Sequence, residues 1–441
     1  MNNMSDEKKE KTVMAQIPTP VTPTQQPSVP INMNPNPFST LPHPSNPFVP
    51  TKYTPKLTRK NPKTRLNKYI PPRKTNFTCP FCFAGISKSE LLFYCKECDE
   101  SYTEKEAEAE GLKKGDRYFC HNDEITGNRM CPSCEINAIN NSIVLNSVRL
   151  IPEILVNRKD KQGQPLLIGL AGVDYVGKSM YLTRLLEQIR TQPLPNKIVA
   201  LLLDQKSALE ADYMISTLRD RKMMPATAVG YYYPFLIEIH NEKKSIAFSI
   251  SDSAGEDFSY ENEMGYNRKV VKKYLQKSKN AILIIDPCTL PNLAEHPRLI
   301  NDVKYFTRRG GADTLNIYIN MVRPDNTSAD KGISKYLKDI NLAVVFTKMD
   351  IFYDDPDFPS ILKTESSHVL KGQYNAQEME NVNDEMRNWV AKNGGGAILN
   401  ILTTCFPNAR LFGISSGADA VQPNRILDPF LWLLNKNEIL D

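Results

Sequence analysis

Short apolar runs alternate with helical stretches through the C-terminal two thirds of the chain. The runs with the length of a strand are residues 166–171, 245–251, 281–286, 342–347 and 410–414. Continuous apolar strands separated by helices are typical of a parallel sheet that is buried on both faces. Residues 231–240 and 245–251 also predict two strands joined by a polar turn, which would add an antiparallel edge. From about residue 142 we therefore expect an α/β domain with a mostly parallel central sheet and helices on both faces.

The first 75 residues follow neither the helical nor the strand period. They contain 15 prolines and too few apolar residues to offset the entropy of ordering, which predicts a disordered, Pro-rich, basic tail. Nine Lys/Arg residues fall within residues 51–75. A solvated linker and a segment that docks to RNA, DNA or an anionic membrane are both compatible with this charge.

Charge is distributed unevenly along the 441 residues. The formal net charge is +5, but residues 1–75 hold 12 Lys/Arg and 3 Asp/Glu, so the tail contributes +9 and the remainder −4. A strongly basic nucleic-acid-binding body is therefore not indicated. No apolar run approaches the ~20 residues of a membrane-spanning helix, and the charged N-terminus does not resemble a secretory signal. We expect a cytoplasmic protein without a transmembrane segment.

Six of the nine cysteines form three Cys-x-x-Cys pairs between Cys79 and Cys134. Such a pair allows two thiolates to bind one zinc ion from a tight knuckle. The pairs Cys79/Cys82 and Cys95/Cys98 are twelve residues apart, which is the zinc-ribbon pattern. Clustered cysteines without a secretory signal favour zinc ligands over disulfides, with metal-free thiols as the remaining alternative.

A second zinc site would use Cys131 and Cys134 together with Cys120. His121 is a less favourable fourth ligand, because the side chains of adjacent residues usually point apart. The pairing stays open: the first two pairs could share one ion, or the third pair could close a site with an earlier pair. In every arrangement four ligands surround the metal, so residues 76–141 are predicted to be a module with structural zinc.

A glycine-rich loop follows the first predicted strand and opens a helix predicted at residues 179–192. Its backbone N–H groups can surround phosphates; the residues are Gly172, Val173, Asp174, Tyr175, Val176, Gly177, Lys178, Ser179 and Met180. The Gly-x4-Gly-Lys-Ser pattern places the Lys178 ammonium against the β and γ phosphates, and the Ser179 hydroxyl can bind magnesium. After the strand at residues 245–251, Asp252 can hold magnesium through water, and the Gly255 N–H can contact the γ phosphate.

A Thr-Lys-x-Asp tetrad ends the strand at residues 342–347 and distinguishes guanine from adenine. The Asp350 carboxylate can accept hydrogen bonds from guanine N1–H and from the 2-amino group, neither of which adenine offers there. The Lys348 side chain would lie over the base, and Thr347 would brace the neighbouring loops. Ser415 and Ser416, after the last predicted strand, would direct a backbone N–H at guanine O6.

The ordered motifs Gly-x4-Gly-Lys-Ser, Asp-x-x-Gly, Thr-Lys-x-Asp and Ser-Ser resemble the GTPases of the TRAFAC (translation-factor-like) class over about residues 160–441. With the cysteine-rich module upstream, the chain more narrowly resembles bacterial double-GTPase-type proteins, which are linked to regulatory or defence-like systems. The resemblance implies a P-loop GTPase domain over residues 142–441, with Mg2+ as cofactor. The long spacings between the motifs imply insertions near residues 196–226 and 288–340, which could bind partners.

The family pattern also implies a switch threonine that binds magnesium only when the γ phosphate is present. We assign this role to Thr227, with Thr217 as the alternative, although Thr217 lies in a helical stretch. Glu256 stands where many relatives have a glutamine that positions water, and Asp174 adds a carboxylate to the phosphate loop. Negative charge beside the γ phosphate opposes charge build-up in the transition state, so we expect slow hydrolysis unless a cation compensates.

The leading hypothesis is a GTP-binding and GTP-hydrolysing molecular switch in which Lys178, Thr227 and Glu256 act on the γ phosphate. The zinc module and the tail would dock a protein effector or activating partner. The alternative is a zinc-ribbon nucleic-acid or scaffold adaptor whose GTPase fold binds nucleotide but is nearly inactive. An ATP-using P-loop enzyme is a third hypothesis, and it requires that Asp350 does not select guanine.

Overall fold

The computed structural model describes residues 76–440, apart from 122, 141–147, 158–164, 221–231, 243, 254–257, 259–265, 295–308, 324–335 and 418–421. The chain divides into two compact units between Val49 and Pro50, and all described residues belong to the second unit. The predicted tail therefore lies outside the described residues. None of the described helices combines the length and the hydropathy of a membrane-spanning segment.

The cysteine-rich region consists of short antiparallel ribbons. Its strands are Phe77–Thr78 (β1), Gly85–Ile86 (β2), Leu92–Cys95 (β3), Glu100–Tyr102 (β4), Lys113–Lys114 (β5), Arg117–Cys120 (β6), Asp123–Glu124 (β7) and Arg129–Met130 (β8). β1 pairs with β2, β3 lies between β4 and β8, and β6 lies between β5 and β7. The helices that accompany them are Glu104–Ala109, Pro132–Asn140 and Glu153–Asn157.

A mostly parallel sheet follows, as the apolar runs predict. Its strands are Leu166–Ala171 (β9), Val199–Leu202 (β10), Tyr232–His240 (β11), Ser245–Ser253 (β12), Asn280–Ile285 (β13), Asn341–Phe346 (β14) and Arg410–Gly413 (β15). Within the described residues these seven strands lie in the order β10-β11-β12-β9-β13-β14-β15. The strands from β12 to β15 are parallel, whereas β10 and β11 form an antiparallel edge.

Helices cover both faces of this sheet. They are Lys178–Thr191, Gln205–Arg219, Tyr266–Lys277, Gly311–Val322, Ser367–Lys371, Ala376–Lys392, Gly396–Cys405 and Asp428–Lys436. On one face, the ring of Phe248 in β12 lies 6.0 Å from that of Phe430 in the last helix. On the other face, a Cβ added to Gly169 in β9 would come within 2.8 Å of Leu275, which shows how closely the helix Tyr266–Lys277 packs there.

The cysteine-rich region occupies that second face beside the helix Tyr266–Lys277. Leu236 of β11 and Ala247 of β12 share one buried apolar cluster with Phe77 and Cys79. The side chain of Phe83 enters the main core of the α/β domain, where its ring lies 5.1 Å from that of Tyr274. The cysteine-rich region is thus part of the layer that buries the sheet.

Candidate functional site

The predicted phosphate loop leaves the sheet where the strand order diverges. β9 lies next to β13, and the connection after β9 leads to β10 at one edge of the sheet, whereas the connection after β13 leads to β14 on the other side. In open α/β sheets, ligands bind in the crevice beyond the carboxyl ends of strands at such a point. Gly172 passes so close to β13 that an added Cβ would lie 2.8 Å from the Ile284 carbonyl oxygen. The backbone of this loop therefore depends on glycine at position 172.

The loop leads into the helix Lys178–Thr191 through Gly177, which has a left-handed φ of 94°. Gly177 makes no side-chain hydrogen bond to cap this helix, and helix N-termini of this kind are common anion-binding positions. The Lys178 side chain is almost fully buried, and its ammonium donates a hydrogen bond to the Val173 carbonyl at 2.8 Å. A positive charge is therefore held within the loop itself.

The Thr-Lys-x-Asp segment contacts this loop directly. The Thr347 hydroxyl donates to the Val176 carbonyl at 2.7 Å, which is the bracing contact expected from the sequence. Lys348 donates to the Tyr175 carbonyl at 3.2 Å and forms an ion pair with Asp286 at 2.8 Å. The Asp286 carboxylate is fully buried directly after β13. No motif marks Asp286 in the sequence, although its place at the carboxyl end of a central strand is a usable signal.

The loop after β15 contacts the same segment. The Ser415 hydroxyl donates to the Asp350 carboxylate at 2.6 Å. The Ser416 carbonyl accepts a hydrogen bond of 2.8 Å from Arg184, which belongs to the helix that begins at Lys178. The loops after β9, β14 and β15 therefore meet at one edge of the sheet. Arg184 was not among the predicted site residues, and no short motif marks it.

Other predicted residues lie partly or wholly outside the described part of the chain. Asp252 is at the end of β12, as expected, but its side chain is not among those described. Thr227, Gly255 and Glu256 fall within the gaps. Thr217 lies in the helix Gln205–Arg219, where its hydroxyl donates to a carbonyl one turn earlier. The roles proposed for the residues in the gaps stay predictions.

The cysteines form two four-residue groups that could each hold a metal ion. Cluster 1 consists of Cys79, Cys82, Cys131 and Cys134, and cluster 2 consists of Cys95, Cys98, Cys120 and His121. Within each cluster the possible ligand atoms lie within 4.8 Å of one another. The zinc-ribbon pairs of the sequence thus belong to different clusters, and the third pair closes a site with the first. Spacing alone left this choice open because each knuckle offers the same two thiols.

His121 contributes to cluster 2 despite its position next to Cys120. Its φ is 56°, and its Nδ1 lies 3.3 Å from the Cys120 sulfur and 3.9 Å from the Cys95 sulfur. The expectation that adjacent side chains point apart fails here because the left-handed backbone turns both toward the same point. Phe83 and Asp99, which follow Cys82 and Cys98, have the same backbone conformation.

Thiol ionisation differs between neighbouring cysteines. Hydrogen bonds from Cys131 and the other cysteines of cluster 1 hold the pKa of Cys82 well below its usual range, whereas burial raises the pKa of Cys79. In cluster 2, burial raises the pKa of Cys120 to about 12. Burial opposes ionisation of Cys95 as well, but hydrogen bonds from the Cys98 backbone and His121 lower its pKa. Each cluster therefore favours a thiolate beside protonated thiols, and a divalent cation would allow the other thiols to ionise.

Comparison of the chain with protein-family models and with curated proteins finds no match.

Proposed function

We propose that the chain is a GTP-binding molecular switch that hydrolyses GTP slowly, with two structural zinc sites in its cysteine-rich region. One observation carries the proposal. The phosphate-type loop at residues 172–179, the segment at residues 347–350 and Ser415 are linked by hydrogen bonds at the carboxyl edge of one parallel sheet. A nucleotide would bind across these loops, with its phosphates at the first loop and its base at the other two.

Guanine selectivity follows from the Asp350 carboxylate. One of its oxygens accepts a hydrogen bond from Ser415, which fixes the carboxylate and leaves acceptor capacity for the base. Guanine presents two donors on one edge, N1–H and the 2-amino group, and a carboxylate can accept both. Adenine has no donor at these two positions. Lys348, held by Asp286 and the Tyr175 carbonyl, would present its methylene stem to the base.

Phosphate binding would use the N-terminus of the helix Lys178–Thr191 and the Lys178 ammonium. When magnesium is bound, it neutralises phosphate charge, and Ser179, Asp252 and Thr227 would hold it. Asp174 and Glu256 would place negative charge near the γ phosphate, which is the reason to expect slow hydrolysis. A rate constant of several per second for GTP hydrolysis by the purified protein, measured in a single-turnover assay, would contradict the proposal of a slow switch.

The proposal of zinc follows from the sulfur geometry. The sulfur atoms of Cys79 and Cys134, of Cys82 and Cys131, and of Cys98 and Cys120 are each 3.7 Å apart. Four thiolates at ~2.3 Å around a tetrahedral zinc ion lie about 3.8 Å from one another. With four ligands each, both sites would be closed, so zinc would stabilise the fold and would not bind substrate.

Substitution of Asp350 tests the guanine proposal. We expect Asp350→Ala to reduce the affinity for GTP by at least about a hundredfold, since two hydrogen bonds to a charged acceptor are lost, and to leave the weak affinity for ATP unchanged. Asp357→Ala removes a nearby exposed carboxylate that pairs with Lys392, and it serves as the matched control. Calorimetric titration of both variants with GTP and ATP measures these effects. Equal GTP affinity in the Asp350→Ala and Asp357→Ala variants would refute the assignment.

A further inference from the structure

The loop after β15 is closed by a backbone bridge that carries Ser415. The Ser415 N–H donates to the Asn424 carbonyl at 3.1 Å, and the Asn424 N–H donates back to the Ser415 carbonyl at 2.8 Å. The Ser415 hydroxyl also accepts from the Gly417 N–H at 3.3 Å while it donates to Asp350. The position of Ser415 relative to Asp350 therefore depends on where Asn424 is held.

Asn424 and its neighbour Arg425 are anchored to the body of the domain. The Asn424 amide donates to the Leu362 carbonyl at 2.7 Å. The Arg425 guanidinium, with only 1% of its side chain exposed, donates to three separate parts of the domain. Its partners are the Ile361 carbonyl at 3.1 Å, Glu378 at 3.0 Å and Asp428 at 2.8 Å.

Further hydrogen bonds fix the two carboxylates, of Glu378 and Asp428, that accept hydrogen bonds from the Arg425 guanidinium. The buried Ser366 hydroxyl donates to Asp428 at 2.6 Å, and the Ser367 N–H donates to Glu378 at 3.0 Å. Although burial opposes it, hydrogen bonds from Ser367 and from Arg425 hold the pKa of Glu378 below its ordinary value. The guanidinium thus joins two helices and the segment Ser360–Lys363 to one end of the loop.

We propose that Arg425 is a positioning residue for base selection, acting through Asn424 on Ser415 and Asp350. This inference rests on the proposed GTP site and adds a determinant of its specificity. Only guanine would use the Asp350 carboxylate, whereas the phosphates of any nucleotide would use the loop at residues 172–179. Misplacement of Ser415 therefore weakens binding of GTP and leaves binding of ATP unchanged.

The test compares GTP and ATP affinity in the full chain with Arg425→Lys. Lysine keeps the charge but lacks the planar fork that reaches three acceptors. The matched control is Arg410→Lys. Arg410 forms an ion pair of 2.7 Å with Glu380, on the same helix that carries Glu378. In the described part of the chain, however, Arg410 has no hydrogen bond or ion pair with the loop at residues 415–425. Calorimetry with magnesium present gives both dissociation constants, and tryptophan fluorescence verifies folding.

We expect Arg425→Lys to weaken GTP binding by about three- to tenfold, the effect of one impaired hydrogen bond, with ATP binding unchanged and no effect of Arg410→Lys on either. A general loss of structure would lower both affinities, so an unchanged ratio of GTP to ATP affinity overturns the inference. If Arg425→Lys does not fold, the ratio of GTP to ATP affinity is measured for Asn424→Ala instead, and an unchanged ratio again overturns the inference. A wild-type protein without preference for GTP would instead refute the proposed function itself. A wild-type preference that Arg425→Lys retains refutes only the positioning role.

Discussion

Phe83 provides a direct test of whether the cysteine-rich region and the α/β domain fold as one unit. Its side chain follows Cys82 of cluster 1, is fully buried in the main core and packs 5.1 Å from Tyr274. Its carbonyl accepts a hydrogen bond of 2.6 Å from Lys277. Phe83→Ala removes the ring but keeps a Cβ at the left-handed φ of 58°, so backbone strain is unchanged and the effect reports lost packing.

Truncation of a fully buried phenylalanine costs about 3–5 kcal/mol in free energy of unfolding. For a unit of this size that corresponds to a decrease in Tm of roughly 4–7 °C. The control is Phe119→Ala, which removes a half-buried ring from β6, away from the α/β core, and is expected to cost about 1 kcal/mol or less.

Tryptophan fluorescence reports only on the α/β domain, because both tryptophans, Trp389 and Trp432, are buried there. Thermal unfolding followed by this signal should shift for Phe83→Ala, and release of bound metal should occur in the same transition. Two separate transitions in the wild type, or a shift for Phe83→Ala no larger than that for Phe119→Ala, would refute the single-unit account.

Three further predictions concern the site, the metals and pH. Asp286→Asn should weaken GTP binding by roughly tenfold in calorimetry, because it removes the charge that holds Lys348, whereas Asp339→Asn at an exposed pair should change nothing. A chelator should remove metal from cluster 2 before cluster 1, because His121 is exposed while cluster 1 packs against the sheet. A zinc indicator would then record a fast and a slow phase of metal release, and Cys98→Ser should abolish the fast one. Burial lowers the pKa of His368, so protonation of its imidazole favours the unfolded chain. The free energy of unfolding should therefore fall as the pH drops below about 6.5, and it should fall less in His368→Gln. Urea unfolding at two pH values measures both effects.

The sequence predicted the central strands well because they are buried on both faces. The uninterrupted apolar run of β9 has the predicted bounds, and β13 and β14 differ from theirs by one residue at each end. β10 was missed. It is an edge strand of four apolar residues in which Val199 and Leu201 are about half exposed, so neither burial nor alternation of polarity marks it. It lies in the stretch where an insertion was expected.

The contacts that organise the site were harder to predict because they join residues far apart in the chain. Arg184 and Ser416 are 232 positions apart, and Lys348 and Asp286 are 62 apart, so no local motif contains either pair. The grouping of the metal ligands was hard to predict for a different reason. Identical Cys-x-x-Cys spacings permit several pairings, and the backbone φ that turns His121 toward Cys120 leaves no trace in residue type.

Parallel calorimetric titrations of the zinc-loaded protein with GTP and with ATP, both with magnesium, test the central claim most directly. The Asp350 carboxylate beside Ser415 predicts GTP affinity at least about a hundredfold above that for ATP, since two hydrogen bonds to a charged acceptor distinguish the bases. Equal affinity for the two nucleotides, or binding of neither, would contradict it.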